Sequence, residues 1–93
     1  MTLQQRTLIA QLAGSMRVVA TAPVVREVRN GLRRLADQVD SITLDDGASQ
    51  VVAIIADLFD LQGQVRMWGY NDLADCLAGI GRMSRELYND LKE

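Results

Sequence analysis

The side chains of this sequence best placed to do chemistry are Asp57 and Asp60, three residues apart, and a lone cysteine, Cys76. On a helix, residues three apart project side by side, an arrangement in which two carboxylates can share a proton or a cation. The rest of the chain completes neither use. Histidine is absent from all 93 positions, which removes the commonest general base and the Ser-His and Cys-His pairings that activate a nucleophile. The carboxylate-bridged di-iron motif needs Glu-x-x-His, and one thiol without histidine supplies neither the usual zinc set nor an intramolecular disulfide. The stretch "DSITLDDG" lacks the alternating oxygen ligands and terminal glutamate of a calcium loop, and no glycine-rich phosphate loop occurs. Asp57 and Asp60 therefore read as a solvated face. Cys76 reads as a packing residue on the flank of an apolar stripe, near Met83 one heptad on. No catalysis, cofactor or metal is expected.

Charge supplies a second kind of chemistry, that of recognition. Ten basic and twelve acidic residues give a net charge of −2, so no global field draws the chain to nucleic acid or an anionic membrane. Nine of the ten basic residues are arginine, suited to bidentate pairing with carboxylates. Arg26, Arg29 and Arg33 share one helical side, followed on that side by Asp37 and Asp40. This order opposes the helix dipole, which prefers anions at the amino end and cations at the carboxyl end. Arg33 and Asp37 can pair along the helix. A second copy of the helix running antiparallel would set the arginine half against the aspartate half twice, as a two-fold contact requires. A homodimer is expected on that ground.

The third cluster is "VRMWGYNDL" at residues 65–73, with the only tryptophan and one of two tyrosines. Heptad phase makes Trp68 the last core position of one helix, Gly69 its left-handed cap, and Asn71 the cap of the next. Tyr70 then falls outside both apolar stripes, with Arg66 and Met67 as neighbours. Methionine and aromatic side chains are enriched at protein interfaces, so Arg66, Met67 and Tyr70 form a candidate contact for a larger protein partner.

The elements that hold these clusters follow from periodicity. Val28, Leu32, Leu35, Val39 and Ile42 recur at spacings of four and three, the repeat that keeps one stripe against a neighbouring helix. Val51, Ile54, Leu58, Leu61, Val65 and Trp68 repeat it, as do Leu73, Leu77, Ile80, Ser84, Leu87 and Leu91. A looser stripe of Leu8, Ile9, Leu12, Met16 and Val19 opens the chain, with Gln5 intruding near its start. Helices are thus expected at about 3–20, 23–42, 48–68 and 71–92, forming one all-α domain over 1–93. Short connections make sequential helices antiparallel neighbours, so the expected fold is an antiparallel four-helix bundle.

Three boundaries carry alternatives. Pro23 in "TAP" biases Ala22 away from helical angles, which separates helices 1 and 2 or leaves them one Pro-kinked helix. Asp45, Asp46 and Ser49 are candidate caps of the third helix; an Asp46-Gly47 pair is also compatible with a β-hairpin, although the following run is longer than a strand. Gly79 and Gly81 each cost about 1 kcal/mol relative to alanine inside a helix, which can weaken or bend the fourth.

The stretch "DLADCLAGIGRMSRELYNDL" at 72–91 resembles a bacterial helix-turn-helix: Leu73 and Ala74 in a first helix, "AGIG" as the turn, and Arg82, Ser84 and Arg85 on a recognition helix. The resemblance implies a DNA-binding transcriptional regulator. The chain departs from the pattern at Gly79, where the turn usually carries an apolar residue, and at Ser84, where a buried one is needed. The first 22 residues have Arg6 and an A-x-A but are interrupted by Gln11 and Arg17, against a signal peptide. No apolar run reaches the length of a membrane span. A non-enzymatic, cytoplasmic, self-associating interaction or regulatory module of adaptor or anti-activator type is the function these features favour.

Overall fold

Val28, Leu32, Leu35 and Val39 are almost wholly withdrawn from solvent, as are Val51, Ile54, Leu58 and Val65 on the next helix and Leu77, Ile80, Ser84 and Leu87 on the last. The computed structural model, which describes residues 1–22 and 24–92, folds these stripes inward as four helices: α1 Leu3–Thr21, α2 Arg26–Asp40, α3 Gly47–Met67 and α4 Asn71–Lys92. Each helix packs on its sequence neighbours, and α4 closes against α1. Gln5 near the start of α1 donates through Nε2 to the Asp90 carbonyl near the end of α4 at 3.3 Å, which fixes those two as antiparallel. The architecture is the expected antiparallel four-helix bundle.

Helix ends show where local chemistry differs from the expectation. Gln5 does not merely intrude on α1. Its backbone N–H donates to Thr2 Oγ1 at 3.1 Å while its side-chain oxygen accepts from the Thr2 N–H at 3.0 Å. This is a reciprocal capping box. Helix α2 is shorter at both ends than the expected 23–42. Val25 stands at its cap with extended angles (φ −63, ψ 152), and Ala22 is likewise extended after α1 (φ −66, ψ 161). Helices 1 and 2 are therefore separate elements, not one kinked helix. Pro23, to which the break was ascribed, lies outside the described residues.

The α2–α3 connection leads directly into a helix at Gly47, not into a β-hairpin. Its expected caps do not act. Asp46 occupies the cap position without a side-chain cap hydrogen bond, and Ser49 is already inside the helix. Gln50 ties the loop instead, accepting from the Thr43 N–H at 2.9 Å and reaching the Ser41 carbonyl with Nε2 at 3.5 Å. A side chain at Gly47 would come within 3.2 Å of Leu91 and 3.4 Å of Ile42, so the tight entry to α3 depends on this glycine.

Helix α4 runs unbroken through "AGIG", which overturns the helix-turn-helix geometry. The reason lies in the stripe. Ala74, Leu77, Ile80, Ser84 and Leu87 are all buried on one side, and a turn at Gly79 would swing the second half of it off the core. Ser84 fits because its Oγ donates to the Ile80 carbonyl at 2.9 Å within the same helix. That bond satisfies a buried hydroxyl locally.

Candidate functional site

The α3–α4 turn is built around Gly69, which takes a positive φ of 89°. The Tyr70 N–H donates to the Val65 carbonyl at 3.0 Å and the Gly69 N–H to Arg66 at 3.0 Å, the paired bonds of a Schellman cap. Asn71 is not the cap of α4. The Ala74 N–H bonds to the Tyr70 carbonyl at 3.0 Å, so Tyr70 holds the cap position and Asn71 is the first helical residue.

This turn directs large apolar side chains outward. Met67 is 89% exposed, Tyr70 48% and Trp68 43%. Trp68 is therefore not the last core position of α3; Val65, fully buried, is. The helix ends immediately after Met67, so the angular step that would have carried position 68 inward is spent on the turn. Val18 and Val19 of α1, Val24 and Val25 of the first connection, and Tyr70, Leu73 and Cys76 line one open apolar cleft at this end of the bundle. Cys76 is exposed in its wall, which corrects its assignment as a packing residue. Arg66 pairs with Asp75 at 3.8 Å across the turn. Arg66, Met67 and Tyr70 are thus brought to one end of the molecule, and Arg26 begins α2 beside the same cleft.

The α2 charge ladder is resolved differently. Arg17 of α1 reaches both Asp37, at 3.1 Å, and Asp40. Hydrogen bonds to Asp40 first and Asp37 second raise the guanidinium's pKa further above its ordinary value. Among the described residues Arg33 and Asp37 form no ion pair. Arg29 is half-buried and leans back to the Val24 carbonyl at 3.5 Å, while Arg26 and Arg33 are exposed. The aspartate half of the ladder is thus already occupied within the chain. Nothing in the sequence flagged Arg17, because its partners lie on another helix.

A further surface was missed. Helix α3 carries a second apolar row on its outward side, where Val52 is 50% and Phe59 59% exposed, with Ala56 and Gly63 also open to solvent. The spacings of four, three and four between these positions are those of one helical face. The signal was present, but the inward stripe of the same helix had absorbed the apolar residues. Asp57 and Asp60 are exposed beside this row, on the α2 flank of α3.

The class defined by these features is an antiparallel four-helix bundle with exposed apolar surface along α3 and at its α3–α4 turn. Comparison with known protein families, curated proteins and solved structures finds no match to the chain.

Proposed function

We propose that this chain is a non-enzymatic protein–protein interaction module of adaptor or anti-activator type, working in a cytoplasm and self-associating. The observation that carries the reading is the exposed apolar surface of α3 and its turn: Val52, Phe59, Met67, Trp68 and Tyr70. A helix apolar on most of its circumference is one that is covered on most of its circumference. Contiguous exposed apolar surface is the usual signature of an association site in proteins of this size. Arginine and aspartate flanking it add the polar rim typical of such contacts. No helix among the described residues is long and apolar enough to cross a membrane. The DNA-binding alternative loses its support, since α4 has no turn with which to present a recognition helix.

The test is sedimentation velocity over a wide concentration range, paired with affinity capture using the whole chain as bait. The expected result is a reversible species heavier than the 10.3 kDa chain, and a captured partner released when Met67 and Tyr70 are both replaced by serine. A chain that stays at 10.3 kDa at every concentration and captures nothing would end the reading.

A further inference from the structure

We infer that the occupant of the outward face of α3 is a second copy of this chain, with the two α3 helices lying parallel about a two-fold axis. This deepens the self-association proposed above and rests on it.

The face is a ridge between two grooves of opposite charge. On one side α4 sets Arg82 and Arg85 beside Ile55 and Phe59. On the other, Asp57 and Asp60 of α3 border the groove shared with α2. None of these four charges takes part in an ion pair among the described residues. Arg34 of α2 lines the aspartate groove as well, with Glu27 further along it, so that flank remains acidic overall. The two pairs stand at the same level along the bundle: Gly81, next to Arg82, faces Leu58, which lies between Asp57 and Asp60.

Symmetry then selects the orientation. A two-fold axis running along α3 exchanges the flanks and preserves height, so Arg82 and Arg85 of each copy meet Asp57 and Asp60 of the other, twice over. An axis running across α3 keeps each flank on its own side. Arginine would face arginine, and aspartate aspartate, an arrangement that disfavours association. In the parallel arrangement Val52 meets Val52, Phe59 meets Phe59, and the small side chains at Ala56 and Gly63 let the two backbones approach. A row repeating at spacings of four and three is what a parallel helix pair uses as its seam.

The experiment measures the dimer dissociation constant of the whole chain by sedimentation, with helicity followed by circular dichroism. Phe59→Asp, at an exposed site, should keep the helicity and leave a monomer. Arg82→Glu/Arg85→Glu and Asp57→Arg/Asp60→Arg should each weaken the dimer by about tenfold or more, and mixing the two variants should restore it. Val52→Cys in a Cys76→Ser background should form a disulfide-linked dimer on mild oxidation. Three results overturn the inference in distinguishable ways. A dimer indifferent to Phe59→Asp places self-association on another face and leaves the proposed function standing. A dimer lost with Phe59→Asp but never cross-linked through Val52→Cys refutes the parallel arrangement. A wild-type chain monomeric throughout removes both this pairing and the self-association on which it rests.

Discussion

Ser84 is a hydroxyl at a fully buried position, and its bond to the Ile80 carbonyl is made inside its own helix. Deleting it orphans nothing, because that carbonyl retains its ordinary bond from the Ser84 N–H. Ser84→Ala should therefore change stability by less than about 1 kcal/mol. Ser84→Leu must find room against the core and should cost about 1–3 kcal/mol in chemical denaturation. Tyr70 is the converse case. Its backbone caps α4 and closes the Schellman turn, but Tyr70 is about half exposed, so Tyr70→Ser should cost no more than about 1.5 kcal/mol in a thermal melt. A larger loss would place the ring in the core. Single residues were legible where burial follows from phase alone, as for Tyr70 outside both stripes. They were not where a helix end intervenes, as for Trp68, or where a flank turns to solvent, as for Cys76. The Thr2/Gln5 capping box was written in the local sequence as T-x-x-Q and read only as an interruption of the apolar face.

At the scale of elements, two glycines separate what a helix tolerates from what a turn requires. Gly69 ends α3 at φ 89°, a conformation that costs an L side chain about 1–2 kcal/mol. Gly63 lies in the exposed interior of α3 with open space where a Cβ would go. Gly69→Ala should lower the stability of the monomer by about 1–2 kcal/mol, whereas Gly63→Ala should raise it by about 0.4–1 kcal/mol. Both are read by urea titration in the Phe59→Asp background, which keeps association out of the comparison. Helix existence and order were legible from the inward stripes because Val28 to Val39, Val51 to Val65 and Leu77 to Leu87 bury as their spacing dictates. Boundaries were less so. Ala22 ends α1 and Val25 trims the start of α2, both with extended angles, and Gln50 closes a loop for which Asp45, Asp46 and Ser49 were the obvious candidates. The continuity of α4 was decided by its uninterrupted buried side, which outweighs the local cost of Gly79 and Gly81.

At the scale of the whole molecule, the pairs that cross between helices were beyond the reach of periodicity. Arg17 engages Asp37 and Asp40 across the α1–α2 hairpin, so the acidic half of the ladder on which an α2-centred dimer was expected also serves a contact within the chain. The apolar row on α3 offers a different seam, and mass action gives it a thermodynamic signature. If folding and pairing are linked, each tenfold rise in chain concentration adds about 1.4 kcal/mol to the stability of the dimer. Shared between two chains of this length, that raises the melting temperature by about 3–5 °C. The wild-type chain should show this dependence in calorimetry, and Phe59→Asp should melt at one temperature across the same range. Salt should act on the same quantity. The flanks carrying Arg82 and Arg85 on one side and Asp57 and Asp60 on the other are exposed, and their attraction is screened over about 8 Å at physiological ionic strength. Raising salt should therefore lower the concentration-dependent part of the melting temperature while leaving that of Phe59→Asp nearly fixed. A concentration dependence that strengthened with salt would mean that apolar contact alone carries the association, and that the charged flanks do not select the partner.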